Sequence, residues 1–196
     1  MKHDLRELLI SLKEKDFELR EAILKDGSLY DGYDEEMEAL HIKNAEKLNE
    51  IVTEYGWPGK SLVGEDGSDA AVIIAQHSIS KPTLQRKFLE YLKSSVVEGE
   101  ALPAQEACLE DRILFNEGKP QKYGMLFDWN EKGELFTNVD DLVLANERRK
   151  KLGLKSIEEA TKLHRKEIEE EGGGPPADFH EHKRKELAWA KRVGWR

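Results

Sequence analysis

The stretch Ala70-Ala71-Val72-Ile73-Ile74-Ala75-Gln76-His77 is the longest apolar run in the chain, and it ends in two polar residues. Its first six residues are apolar on every side of a helix, which predicts a central helix that is buried on all faces. The last two residues place an amide and an imidazole at the edge of the hydrophobic core. We therefore expect the other helices to pack around this segment, with any site forming at its polar end.

The composition is that of a charged, folded chain with room for one sizeable core. The chain has 196 residues, of which 38% are hydrophobic and 36% are charged, and its mean hydropathy is −0.70. The net charge of −9 disfavours nucleic acid as a partner, and no apolar run approaches the length of a membrane span. A charged N-terminus without a signal-peptide pattern, and Cys108 as the single cysteine, predict a cytoplasmic protein without an internal disulfide.

Hydrophobic periodicity predicts a mainly α-helical bundle with one small β-hairpin near residues 124–139. Breaks and caps between the periodic segments predict eight helices. They are expected near residues 3–25, 35–55, 69–77, 82–98, 104–115, 140–152, 156–171 and 177–193. The Gly172-Gly173-Gly174-Pro175-Pro176 break predicts a division into a helical domain, residues 1–171, and a C-terminal docking helix in residues 172–196.

Five polar residues lie on the apolar stripes of four different predicted helices. They are His41, Asn44, His77, Gln85 and Asp111. A buried polar group without a partner costs about 1–3 kcal/mol, so these side chains can satisfy one another if their helices meet. A helical bundle lined in this way is also how pockets between helices are built. The alternative is a purely structural role, in which each side chain forms a hydrogen bond with nearby backbone or, for Asp111, an ion pair with its neighbour Arg112.

The residue types in this set predict acid–base chemistry on a polar or anionic molecule. His77 is the expected proton-transfer group, Asp111 its partner, and Tyr123 a further catalytic donor. Arg112 suits a carboxylate or phosphate, and His41, Asn44 and Gln85 are expected to bind substrate.

Other kinds of site find less support in the sequence. A metal site could use His41, His77 and Asp111, but chelating pairs on one helix are missing, so no metal ligand is assigned and the cofactor stays unknown. A phosphate-binding loop at Gly59-Lys60-Ser61 would need glycine at position 54, where the chain has Glu54. The serines lack the nucleophile elbow of a hydrolase triad.

Several segments together resemble a bacterial family of unknown function numbered six-six-two-four. The resemblance covers roughly residues 30–155, and one departure is Gly124-Met125-Leu126, where members often have Gly-Thr-Gln. The segments that carry it are Tyr55-Gly56-Trp57-Pro58, Gln76-His77, Leu109-Glu110-Asp111-Arg112-Ile113, Gly118-Lys119-Pro120-Gln121-Lys122-Tyr123-Gly124, Phe127-Asp128-Trp129 and Arg148-Arg149. The family name carries no activity. Its motif positions include His77, Asp111, Arg112 and Tyr123, and they add Gln121 as an expected substrate-binding residue.

The sequence thus favours an intracellular protein with a small-molecule pocket between helices. An enzyme that uses acid–base chemistry in this pocket is the leading hypothesis. Two alternatives stay open, a non-catalytic binding or protein-interaction module and a metal-dependent hydrolase. The sequence names neither the reaction nor the oligomeric state.

Overall fold

The computed structural model describes residues 1–30 and 32–196, and within them the chain folds into eight α-helices and one two-stranded antiparallel sheet. This confirms the predicted helical bundle with a hairpin. The helices are α1 (His3–Asp26), α2 (Glu35–Tyr55), α3 (Lys60–His77), α4 (Pro82–Val97), α5 (Pro103–Asn116), α6 (Leu142–Lys151), α7 (Ile157–Glu170) and α8 (Phe179–Val193). None of these helices combines the length and the hydrophobicity that crossing a membrane requires.

Helix α3 is the centre of the bundle, as the opening stretch predicts. It packs against α1, α2, α4 and α5. Ala70, Ala71 and Ala75 are fully buried in the core, together with Val72 and Ile74. Small side chains on α3 let the backbones of its neighbours come close, so polar residues at its C-terminal end lie within reach of three other helices.

Helix α3 begins at Lys60, about nine residues earlier than the sequence predicts. Its first turn is held by Glu100, whose carboxylate accepts hydrogen bonds from the Ser61 backbone N–H at 2.8 Å and from the Ser61 hydroxyl at 2.6 Å. Gly64, with φ of 77°, then bends the helix. A contact between residues 39 positions apart supplies this cap, which is why local sequence patterns miss it.

The hairpin is shorter than predicted. Strand β1 (Asp128–Trp129) pairs with β2 (Leu135–Phe136), with Trp129 opposite Leu135. Asn130 closes the turn because its side-chain oxygen accepts the backbone N–H groups of Lys132 and Glu134.

Helix α8 lies against the bundle. Its C-terminal end is fixed by Trp195, whose indole N–H donates to the Ile79 carbonyl at 2.7 Å, and by Arg192, which forms two hydrogen bonds with the Glu38 carboxylate. The C-terminal end of α8 therefore contacts α2 and the turn after α3. The domain division at residue 172 stays a prediction.

Candidate active site

A buried carboxylate, Asp16 of α1, lies between two histidines at the end of the core. Its side chain is 2% exposed. One oxygen, Oδ2, is 2.6 Å from Nδ1 of His77, at the end of α3, and the other, Oδ1, is 3.1 Å from Nε2 of His41 in α2. Three helices thus each supply one side chain to a single cluster, which we call the His–Asp–His cluster (Asp16, His41 and His77).

The two imidazoles of the cluster face each other, and one of them is also linked to a tyrosine. The ring centroids of His41 and His77 are 4.8 Å apart. Nδ1 of His41 is 2.7 Å from the hydroxyl of Tyr33. The Nε2 atom of His41 is buried and forms no hydrogen bond, although Asp16 Oδ1 is only 3.1 Å away. The chain of close contacts therefore runs from Tyr33 through His41 and Asp16 to His77.

The cluster keeps its negative charge on Asp16. Burial alone would raise the pKa of this carboxyl, but its contacts with the His41 and His77 imidazoles outweigh burial and hold the pKa well below its ordinary value. Burial lowers the pKa of the His77 imidazole, in spite of its contact with Asp16, and this favours the neutral ring. Burial also raises the pKa of the Tyr33 hydroxyl, which therefore stays protonated at neutral pH.

Arg112 of α5 is close enough to His77 for their charges to interact, and it forms no salt bridge with a carboxylate among the described residues. Its Nε lies 3.5 Å from the Gln76 side-chain oxygen, at the limit of a hydrogen bond. Burial lowers the pKa of the guanidinium, and charges on Arg112 and His77 influence each other. A guanidinium that is desolvated and not neutralised is a natural anchor for an anion.

A cavity of about 950 Å³ opens beside Arg112 and Tyr33, between α2, α5 and α8. Two of its four acidic residues are already paired, Glu38 with Arg192, and Glu186 with Lys183 and Arg196. The Asp34 carboxylate caps the start of α2. Among the described residues of the wall, the charged side chains that remain without a partner are two cations, Arg112 and Lys185, and one anion, Glu35. His77 is not part of this wall and is 28% exposed at its side chain.

The expected pairing of Asp111 with His77 is wrong, because Asp16 holds the histidine. Asp111 is completely buried, and its carboxylate accepts backbone N–H groups from Lys122 at 2.8 Å, Tyr123 at 3.0 Å and Met125 at 3.1 Å. Burial raises the pKa of Asp111, and these three hydrogen bonds oppose the rise. Its place is in a loop anchor and not in the cluster.

Two other residues that the sequence selects, Gln85 and Asn44, bond to the backbone of neighbouring helices. Gln85 donates to the carbonyls of Ala75 and Gln76 at the end of α3. Asn44 donates to the Leu12 carbonyl at 3.4 Å. These contacts fit the alternative interpretation, in which both amides form hydrogen bonds with backbone carbonyls of nearby helices.

The loop after α5 contains the last two of these residues. Gln121 accepts from the Leu126 N–H and donates to the Leu126 carbonyl, each at 2.8 Å. Tyr123 follows in the same loop and, like Gln121, lies outside the cavity wall. Its pKa is raised by burial and by Glu110 and Glu106. Substrate binding by Gln121 and catalysis by Tyr123 stay predictions that these contacts do not test.

The sequence analysis missed Asp16 and Tyr33. The sequence does indicate that Asp16 is buried, because it occupies one position of a stripe on α1 whose other members are apolar and whose spacings alternate between four and three residues. The stripe is Leu5, Leu9, Leu12, Asp16, Leu19 and Ile23. Tyr33 lies in a loop before α2, where no periodicity applies, and only the tertiary fold brings it to His41.

Two groups of side chains in the described chain have donor atoms close enough to hold a metal ion. The first is the His–Asp–His cluster, whose ligand atoms all lie within 4.8 Å of one another, and the second is Asp128, His182 and Glu186. In the second group the ammonium of Lys183 already bonds to both carboxylates. The first group alone offers two imidazoles and a carboxylate without a neutralising lysine.

A model of a protein family matches residues 3–169 of the chain, and its description is "Family of unknown function (DUF6624)". No curated protein and no solved structure matches the chain. The matched residues contain the whole His–Asp–His cluster, Tyr33 and Arg112, whereas α8, which forms one side of the cavity, lies beyond them.

Proposed function

Because the chain belongs to this family of unknown function, whose description assigns no activity, we propose from the site itself that the protein is an enzyme acting on a small anionic molecule by proton transfer. The ligand occupies the cavity between α2, α5 and α8. Arg112 binds its negative group, and the His–Asp–His cluster accepts the proton. The observation that carries this proposal is the unpaired Arg112 guanidinium next to a buried carboxylate with two histidines.

Charge and burial support an anionic ligand. Arg112 and Lys185 are cations of the cavity wall without a carboxylate partner in the described chain, whereas the neighbouring Arg192 is already neutralised by Glu38. A guanidinium that has lost part of its hydration gains most from a planar carboxylate or a phosphate, to which it can donate two parallel hydrogen bonds. The overall charge of −9 fits a small anion better than a polyanion such as nucleic acid, which the whole surface would repel.

Hydrogen bonding supports acid–base chemistry at the same place. Tyr33 is part of the cavity wall, and the 2.7 Å contact of its hydroxyl with His41 connects this residue to the buried Asp16 carboxylate. A protonated hydroxyl at this position can donate to a ligand, while His41 and Asp16 orient it from behind. We propose that this reaction takes place in the cytoplasm, as the sequence predicts.

The first test is ligand-induced stabilisation. Melting temperatures are measured with inorganic phosphate, pyrophosphate, citrate and glucose 6-phosphate, for the wild-type protein and for Arg112→Gln. A ligand at 100 times its Kd adds about 2.7 kcal/mol to the free energy of unfolding, which raises the melting temperature of a chain of this size by about 5–10 °C. We expect such a rise for at least one of these anions and its loss in Arg112→Gln.

Arg184→Gln is the matched control, because this arginine of α8 makes the same charge change at a largely exposed position outside the cavity wall. It should keep the full rise. If no anion stabilises the wild-type protein, or if Arg112→Gln responds equally, the anion site is refuted. Any anion that stabilises the protein is then incubated with it and followed by NMR. Stabilisation without chemical change in the anion would favour the alternative of a non-catalytic binding module.

A further inference from the structure

We propose that Asp16, His41 and His77 bind one divalent transition-metal ion, of the kind represented by zinc and ferrous iron. Two imidazole nitrogens and one carboxylate oxygen are the ligand set with which proteins hold these ions in catalytic sites, where one or more coordination positions stay open. The inference deepens the proposed function, since it names the cofactor of the same cluster, but metal binding itself does not depend on the anion site.

The geometry of the donor atoms is the first argument. One ligand atom from each of His41, His77 and Asp16 lies within 4.8 Å of the other two, although the three residues are on three different helices. A metal ion about 2.0–2.2 Å from each donor requires this kind of convergence. All three helices belong to the tightly packed core, so the donors are held in place by the scaffold.

An unsatisfied buried atom is the second and independent argument. His41 is 6% exposed, and its Nε2 atom has no hydrogen bond, although an Asp16 oxygen is only 3.1 Å away. Such an atom costs free energy when it is left without a partner. A metal ion bound by its lone pair would remove this cost, because the ion then takes the place of the missing hydrogen bond.

The surroundings of the ligands also match a metal site. Metal-binding histidines nearly always use their second ring nitrogen for a hydrogen bond that fixes the ring. Nδ1 of His41 has such a bond with the Tyr33 hydroxyl at 2.7 Å. The same tyrosine is part of the cavity wall, so His41 would connect the proposed ion to a residue that lines the proposed anion site.

The ion would change the chemistry of the proposed enzyme in one respect. A water molecule bound in an open coordination position would have a much lower pKa than free water, and the resulting hydroxide would accept the proton that the proposed function assigns to the cluster. Arg112 then binds the anion, and Tyr33 keeps the orientation of His41.

The experiment titrates the chelator-treated full-length protein with Co²⁺, whose visible absorption reports nitrogen and oxygen ligands, and with Zn²⁺ by calorimetry. We expect one ion per chain for the wild-type protein. The variants His77→Gln and Asp16→Asn each remove a ligand, and we expect their affinity to fall by more than the 10–100-fold that is typical for loss of a supporting residue. Tyr33→Phe removes the support of His41 alone and should weaken binding within that 10–100-fold range.

His182→Gln is the matched control, because it removes a histidine from the second group of donors, where Lys183 already neutralises the carboxylates. It should bind the ion as the wild-type protein does. Circular dichroism and melting curves of each variant establish that it is folded before it is titrated. His77→Gln is the most informative variant, because its partly exposed side chain is the least important of the three for folding.

The outcomes separate this inference from the proposed function. If the wild-type protein binds no ion, or if folded His77→Gln binds as tightly as the wild type, the metal site is refuted. An Arg112-dependent anion shift that persists after chelation would in that case leave the proposed anion site standing. If the ion binds but no anion stabilises the protein with or without it, the metal site stands and the proposed anion site fails.

Discussion

Replacing Asp111 by alanine is expected to lower the free energy of unfolding by about 3–5 kcal/mol, which corresponds to a fall of about 10 °C in the melting temperature. The carboxylate is completely buried and accepts the backbone N–H groups of Lys122, Tyr123 and Met125. Its removal leaves three donors without an acceptor, and each costs about 1–3 kcal/mol if water cannot reach it. Urea unfolding followed by circular dichroism measures the change.

Glu110→Ala is the matched control, because it removes a carboxylate from the adjacent position. Glu110 forms only a salt bridge with Lys122, whose side chain is half exposed, and the expected change is within about 1 kcal/mol. If Asp111→Ala were as mild as this control, the carboxylate would not be the anchor of the loop, and a role at the site would have to be considered again.

Replacing Asp16 by alanine is expected to lower the free energy of unfolding by about 2–4 kcal/mol in metal-free protein. The variant removes the acceptor of the 2.6 Å bond from His77 and leaves both imidazoles facing an empty, buried space. The loss of a partner costs more free energy at His41 than at His77, because His41 is almost fully buried whereas His77 can reach water. The measurement is again urea unfolding, with chelator present so that no ion contributes.

A double-mutant cycle tests whether the effect comes from the bond between Asp16 and His77. Asp16→Asn, His77→Gln and the double variant should give a coupling free energy of about 1–3 kcal/mol. The same cycle with Asp16→Asn and His182→Gln should give coupling close to zero, since His182 is in the wall of the cavity on α8 and has no contact with Asp16 in the described structure. Equal coupling in the two cycles would contradict the cluster.

The residues that carry the resemblance to the family have two different physical roles. Asp111, Gln121 and Arg149 hold the loop of residues 121–126. Arg149 donates to the carbonyls of Tyr123 and Gly124 at 3.0 and 3.1 Å, whereas Asp111 accepts from backbone N–H groups of the same loop. His77 and Arg112, from the same motifs, lie at the cluster and at the cavity. A motif by itself does not distinguish a residue that builds the scaffold from one that meets a ligand.

The polar residues on apolar stripes were a sound indication that buried polar contacts exist, but they did not identify the partners. His41 and His77 do meet, as expected, because α2 and α3 pack against each other. Asp111 faces the other way, toward the loop after α5. Helical periodicity gives the face of a helix on which a side chain lies, whereas the partner depends on how the helices are rotated and crossed.

Local patterns of apolar spacing, caps and glycines are enough to predict the helical class, the central position of α3, the hairpin and most helix ends, because these signals act within a few residues. Long-range packing is needed to explain the early start of α3, the contact of His77 with Asp16 instead of Asp111, and the approach of Tyr33 to His41. Each depends on atoms that are 8 to 61 positions apart in the chain. Such contacts form because a buried polar atom must find a partner, and packing of the whole bundle decides which partner lies within reach.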